Sequence, residues 1–229
     1  MRMRKKKHLE ERLAEVSNLL FISDFEDRNF NTAIKTPEYI DFDAWFGRKA
    51  PLILEVGCGK GGFAAEYAQR YPNINFIAVE KDANVIVSAC ETAKERDCRN
   101  LRFIKCGAEY LPKYIRPSSI ELIFLNFSCP FPKNKYASHR LTHKNFLKIY
   151  KTLMKPNAEI YQKTDNRGFF EFSLESFSQN GFILKNISLD LHKSGFEDNI
   201  ETEYEHKFAS LGLPIYRLEA YLEDKGTLI

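Results

Sequence analysis

An α/β fold with a mostly parallel, seven-stranded sheet and a reversed last strand follows from three features of the sequence. Short apolar runs rich in β-branched residues alternate with segments of helical periodicity from Leu52 to Phe177. A glycine-rich turn, Gly57-Cys-Gly-Lys-Gly-Gly62, follows the first of these runs. The last third then changes character, with two alternating stretches and one short helical segment between them. That pattern suits an antiparallel pair at one edge of the sheet.

The elements follow in order. His8 to Phe21 places Leu9, Leu13, Val16 and Leu20 at helical spacing and predicts an amphipathic helix, and residues 22–50 read as irregular. Leu52–Cys58 is the first strand, and Phe63, Ala64, Tyr67 and Ala68 mark the helix after it. Ile74–Glu80 is a strand, followed by a helix burying Val85, Ile86, Ala89, Cys90 and Ala93. Leu101–Cys106 and Ile120–Phe127 are strands, separated by a segment that Pro112 and Pro117 interrupt. Phe146, Leu147, Tyr150, Leu153 and Met154 mark a helix ending near Pro156. Ala158–Thr164 is a strand, with Phe170, Leu174 and Phe177 on the helix that follows. Ile187–Leu191 and Tyr216–Leu222 alternate as strands. No repeat or Gly/Ser linker interrupts the chain, so one domain is expected over 51–229, preceded by a basic arm and helix in 1–50.

Composition narrows the function class. Apolar residues at 44% and charged residues at 28% describe a globular chain rather than a disordered or coiled-coil one. No apolar run reaches the ~18 residues of a membrane span, and Met1-Arg-Met-Arg-Lys-Lys-Lys7 lacks the apolar core of a secretory signal, so a cytoplasmic protein is expected. Five cysteines without a C-x-x-C pair argue against a disulfide framework or a zinc ribbon. The net charge of +3 hides its distribution: residues 1–12 carry +4, residues 129–155 carry +7 with no acid, and the remainder carries −8. Two basic segments on an acidic body suggest a surface that faces a polyanion.

In an open parallel sheet, ligands bind beyond the carboxyl ends of the strands. There the glycine turn fits G-x-G-x-x-G through Gly57, Gly59 and Gly62, and equally G-x-G-x-G through Gly57, Gly59 and Gly61. No Lys-Ser/Thr follows, which excludes a Walker A phosphate loop. Glu80 closes the second strand, where a carboxylate can accept both hydroxyls of a ribose. A nucleoside cofactor is the expectation, its identity open at this level. Beyond the fourth strand, Asn126-Phe-Ser-Cys-Pro-Phe-Pro-Lys133 offers Phe131 for stacking on a base and leads directly into the basic run. The fifth strand ends in Lys163-Thr-Asp-Asn-Arg-Gly168, where Asp165 or Asn166 can cap the next helix. Thr202-Glu-Tyr-Glu205 has the pattern of a capping box. His139 and His143 stand four apart without an intervening H-E-x-x-H acid, so no metal is expected.

These segments together resemble the bacterial tRNA (guanine-N7)-methyltransferase family. The resemblance runs through Met1-Arg-Met-Arg4, the E-V-G-C-G-K-G loop at 55–61, N-F-S-C-P-F-P-K at 126–133 and His139-Arg-Leu-Thr142. It continues in K-T-D-N-R-G at 163–168, S-L-D-L-H at 188–192, T-E-Y-E at 202–205 and P-I-Y-R at 214–217, nearly the whole chain. It implies a Rossmann-like class I S-adenosylmethionine-dependent methyltransferase fold, S-adenosylmethionine as cofactor, and methylation of guanine N7 at position 46, in the variable loop of tRNA. The expected partner is tRNA, with no membrane and no metal, and the sequence leaves monomer and homodimer open. Carried over by position, Glu55, Gly57, Gly59, Glu80, Gly107 and Cys129 bind cofactor. Lys133, Asp165, Thr202, Glu203, Tyr204 and Glu205 bind substrate, Lys135 and Arg140 contact RNA, and Cys129 and Asp165 occupy catalytic positions.

Two departures stand out. The family loop usually reads D-P-W-P-K, but Cys129 and Phe131 stand where the family has Asp and Trp. The family acid after the third strand is replaced by Gly107, with Glu109 two residues on. Guanine N7 carries a lone pair that is free in the major groove. It needs no deprotonation, so the chemistry requires placement and a suitable field rather than a general base. Loss of the Asp is therefore expected to slow the reaction, not to abolish it. The competing readings are a catalytically impaired tRNA-binding homologue, a methyltransferase of the same fold with another substrate, and a nicotinamide dehydrogenase using the G-x-G-x-x-G alternative.

Overall fold

The computed structural model describes residues 7–23 and 35–223 and divides into two compact units, one ending at Arg116 and the other beginning at Pro117. In the first unit, α1 spans Leu9–Glu15 and β1 spans Leu20–Ile22. The expected helix from His8 to Phe21 thus stops early, and the strand count is eight among the described residues rather than seven. The reason is tertiary. The chain leaves helical geometry at Val16, and β1 pairs in parallel with β4 (Leu101–Lys105), placing Leu20 opposite Phe103. Three residues are too few for alternation to announce a strand. Helix α1 is tied down by Arg12, whose Nε and Nη2 donate to the two carboxylate oxygens of Glu91 at 2.7 and 2.5 Å.

Within the stretch expected to be irregular, α2 spans Phe42–Phe46. It is capped by the Asp41 carboxylate, which accepts from Ala44 N at 3.0 Å. β2 (Leu52–Val56) is buried at all five positions. It is followed by α3 (Gly62–Arg70), β3 (Asn75–Glu80) and α4 (Ala83–Glu95), the last capped by Asp82. A short 3-10 turn and α5 (Leu111–Tyr114) close the unit. The four strands lie in the order β1-β4-β3-β2, and the paired strands are parallel. Their carboxyl ends therefore share one edge. Phe63, Ala64 and Ala68 of α3 and Ile86, Ala89, Cys90 and Ala93 of α4 are buried, as their spacing predicts, whereas Val85 is half-buried and Val87 is buried beside them.

In the second unit, β5 (Ile120–Asn126), α6 (Lys144–Leu153), β6 (Met154–Thr164), α7 (Arg167–Gln179), β7 (Phe182–Ser188), α8 (Glu203–Ser210) and β8 (Tyr216–Leu222) follow one another. The order is β5-β6-β8-β7: β5 and β6 are parallel, and β8 runs antiparallel to both β6 and β7. The reversed last strand and its antiparallel partner are as expected. β6 begins at Met154, four residues before the predicted start, because Ile120 pairs with Met154 before the register jumps to Leu122 opposite Glu159. β7 runs from Phe182 to Ser188 rather than over 187–191. The alternation at its end runs past the strand into a 3-10 turn, where Leu191 is buried while Leu189 is 66% exposed.

Candidate functional site

In the first unit, β2 delivers the chain into a left-handed turn. Gly57, Gly59 and Gly61 have φ of +84°, +57° and +79°, conformations that a Cβ would strain. The amides of Gly57 and Cys58 both donate to the Val79 carbonyl of the neighbouring strand, at 2.8 and 3.0 Å. A Cβ on Gly61 would lie 2.8 Å from that of Ala89, so this glycine lets the turn pack on α4, whereas nothing lies within 4 Å of where a Cβ on Gly59 would stand. Gly62 opens α3 instead of turning. The three glycines that bend the turn are therefore those of the G-x-G-x-G spacing, Gly57, Gly59 and Gly61.

Two carboxylates accompany the turn. Glu55 is buried in β2. Glu80 ends β3 half-buried, its Oε1 accepting from the amides of Lys81 (2.8 Å) and Asp82 (3.0 Å), which fixes the carboxylate and leaves Oε2 able to accept from a ligand. The third candidate, Gly107, has a neighbour that residue-by-residue matching passes over. A Cβ at 107 would fall 2.6 Å from Cδ and 2.8 Å from Oε1 of Glu109. The carboxylate of Glu109 thus occupies the space of the missing side chain.

The unit holds four buried thiols. Burial, with Glu55 and Glu80 adding repulsion, raises Cys58 well above the usual thiol range; burial pushes Cys90 up to about 12 and raises Cys98 and Cys106 as well. They are inert packing residues. All five cysteines are free, and Cys129 of the second unit is exposed.

In the second unit, the loop after β5 is bent by positive φ at Phe127 (+47°) and Phe131 (+41°). Its clamp is Arg140. This guanidinium is 8% exposed, donates through Nε to Pro130 O (3.0 Å) and through Nη2 to Phe131 O (3.0 Å), and lies 4.4 Å from the centre of the Phe172 ring. Sequence matching assigned Arg140 to RNA; its Nε and Nη2 donors are turned onto the loop carbonyls. Lys133 and Lys135 are exposed, as is Tyr136 beneath the Lys135 ammonium, and the His139 ring packs 5.5 Å from Phe131. His143 caps α6 by accepting from Asn145 N at Nδ1, 3.3 Å away. Burial and the charges of Lys144 and Arg140 lower its pKa, in keeping with an acceptor. Among the described residues, no group of three or more His, Cys, Asp or Glu could hold a metal.

At the end of β6 the helix cap falls to Asn166, whose Oδ1 accepts from Phe169 N at 2.8 Å. Asp165 is thereby excused from capping. It is half-buried, and among the described residues nothing pairs with it. The capping box at 202–205 forms as its pattern predicts. Glu205 is fully buried and Thr202 nearly so, whereas Tyr204 is 58% exposed and Glu203 is exposed. Sequence reading missed the partners of this box: Lys163, Asn199 and His192. Lys163 and His192 fall within motifs shared with the family and Asn199 within none, but nothing in their spacing announces that they meet Glu205.

Comparison with known proteins adds to this geometry. Residues 49–218 match a family described as "Putative methyltransferase". The chain is 49% identical over 175 residues to the tRNA (guanine-N(7)-)-methyltransferase of Halalkalibacterium halodurans, covering 76% of this chain and 80% of that protein. It is 43% identical over 208 residues to the enzyme of the same name from Bacillus velezensis, covering 90% and 96%. Among solved structures, an antibiotic-related methyltransferase superposes with a TM-score of 0.59 at 17% identity over 82% of this chain and 98% of that one. That likeness speaks to the fold alone.

Proposed function

Because the chain belongs to the tRNA (guanine-N7)-methyltransferase family, we propose that it methylates guanine N7 at position 46 of tRNA, using S-adenosylmethionine. The observation that carries this reading is the near-full-length identity to enzymes of that name. The first unit suits the cofactor: the turn leaves open space over Gly59, Glu80 offers a carboxylate oxygen to ribose hydroxyls, and Glu109 supplies the acid that Gly107 lacks. Gly57 bends the same turn, and Glu55 lies buried in the strand that leads into it. When bound, S-adenosylmethionine supplies a methyl group on a positively charged sulfur, which a neutral lone pair can attack.

The second unit suits the tRNA. Lys133 and Lys135 present exposed charge to phosphate, with Tyr136 beside them for stacking. Asp165 can accept from the N1–H and N2 amino group of guanine, a pairing that leaves the N7 edge free. It also favours the cation that methylation creates on the base. Tyr204 and Glu203 stand ready on the same unit. Cys129 needs no part as nucleophile or base, since the attacking lone pair carries no proton; it marks the family Asp position and borders the loop that Arg140 holds. The basic arm belongs to this reading as an RNA clamp, though residues 1–6 and 24–34 lie outside the described residues. No helix among the described residues is long and apolar enough to cross a membrane. We assign the protein to the cytoplasm, as a monomer or homodimer.

The test is transfer of labelled methyl from S-adenosylmethionine to unmodified tRNA, with digestion to nucleosides. Label in 7-methylguanosine, absent when the variable-loop guanine is replaced, is the expected result. No label from a protein that binds tRNA would instead identify a catalytically silent homologue.

A further inference from the structure

Resting on that reading, we propose that Lys163 and Glu205 are positioning residues: a buried latch that fixes the substrate-facing segments of the second unit to one another, not ligands of the guanine.

The first ground is saturation. Glu205 is 0% exposed. Its Oε1 accepts from Asn199 Nδ2 at 2.6 Å and lies 3.2 Å from His192 Nε2. Its Oε2 accepts from Lys163 Nζ at 2.5 Å and from Thr202 N at 3.5 Å. A carboxylate has about four acceptor positions. Three hydrogen bonds, with the His192 ring alongside, take up both oxygens of Glu205, and at 0% exposure neither oxygen is presented to a base. The Thr202 hydroxyl belongs to the same box, accepting from Glu205 N at 2.9 Å.

The second ground is what the latch ties together. The Lys163 ammonium donates to Glu205, to Ile200 O at 2.7 Å and to Asn199 Oδ1 at 3.1 Å, which holds the 199–205 segment and the start of α8. The backbone carbonyl of the same residue accepts from Phe127 N at 2.8 Å, which holds the root of the 126–133 loop. Two positions further along lies Asp165. One buried residue therefore sets the register of three segments, and the exposed side chains of 203 and 204 inherit their placement from it. A misplacement of about 1 Å in such a scaffold can cost ~10²-fold in rate.

The experiment compares wild type, Glu205→Gln, Lys163→Met and the double variant Lys163→Met/Glu205→Met. Removing one partner of a buried ion pair strands the other charge, whereas replacing both with apolar residues of similar volume is often neutral. Three readouts are taken: kcat and KM for tRNA, S-adenosylhomocysteine affinity by calorimetry, and amide hydrogen exchange over 199–206. For each single variant we expect kcat to fall by ~10²-fold, KM and cofactor-product affinity to stay within about threefold, and exchange over 199–206 to rise. The double variant should recover at least about tenfold of the lost kcat and most of the protection. A double variant that folds, binds S-adenosylhomocysteine and regains protection, yet stays as slow as Glu205→Gln, would show that Glu205 touches the base and overturn the proposal. So would single variants with unchanged exchange. Wild-type protein that methylates no guanine defeats the functional reading instead, and the exchange data still decide the latch.

Discussion

Replacing Arg140 separates a loop clamp from a phosphate contact, because the two roles leave opposite traces in stability and in salt dependence. The guanidinium is 8% exposed, with hydrogen bonds to Pro130 O and Phe131 O and a ring contact to Phe172 at 4.4 Å. Truncation to Ala removes charge-assisted bonds worth ~1.5–3 kcal/mol and a cation–π contact worth ~1 kcal/mol. A loss of about 3 kcal/mol corresponds to a fall in Tm of about 6–12 °C for a chain this long. A phosphate contact behaves differently: each contributes about 0.9 to the slope of log affinity for a duplex against log salt. Arg140→Ala is therefore expected to lower Tm while leaving the tRNA salt slope unchanged, whereas Lys135→Ala lowers the slope by about 0.9 and leaves Tm alone. Arg140→Lys keeps the charge but not the planar fork and should lose most of the same stability. Filter binding over a salt series and thermal melting read both quantities. A slope reduced by about one in Arg140→Ala, with Tm unchanged, would refute the clamp.

Glu109→Gln should weaken S-adenosylhomocysteine binding by about tenfold, the loss of one charge-assisted hydrogen bond, as measured by calorimetry; unchanged affinity would leave the Gly107 position without an acid. Cys129→Ala should retain methyl transfer within about threefold, because N7 attack calls for no enzyme adduct; a variant that binds cofactor normally yet turns nothing over would contradict this. His143 is held below its ordinary value of 6.5 in the folded protein, so between the two values the unfolded chain binds more protons. Its contribution to stability is then complete above about pH 6.5 and is lost as the pH falls through the folded value. In urea titrations from pH 5 to 7.5, His143→Asn, which keeps the cap without titrating, should flatten the pH dependence relative to wild type.

Much of the fold was legible in local pattern. The βα alternation, the capping box and β8 over Tyr216–Leu222 all rest on short-range chemistry, where period, cap and turn residues act within a few positions. The glycine turn was visible but ambiguous, and only the folded backbone shows that Gly61 turns and packs on Ala89 while Gly62 opens α3. Leu20 kept a helical stripe in the sequence, yet it serves a strand, because an unsatisfied edge of β4 offers backbone hydrogen bonds that a frayed helix end lacks.

For the candidate site the division is sharper. Residue types and order placed the chain in its family and named Glu80, Asp165, Lys133 and Lys135 as groups able to face a ligand. Whether a named side chain faces outward or inward was decided by partners remote in sequence. Arg140 turns onto carbonyls at 130 and 131, Glu109 fills the place of a side chain at 107, and Glu205 meets Lys163 across 42 positions of chain. Chemical identity is a property of a residue and is written in the sequence. Burial, saturation and orientation are properties of its neighbours, and those exist only once the chain has folded.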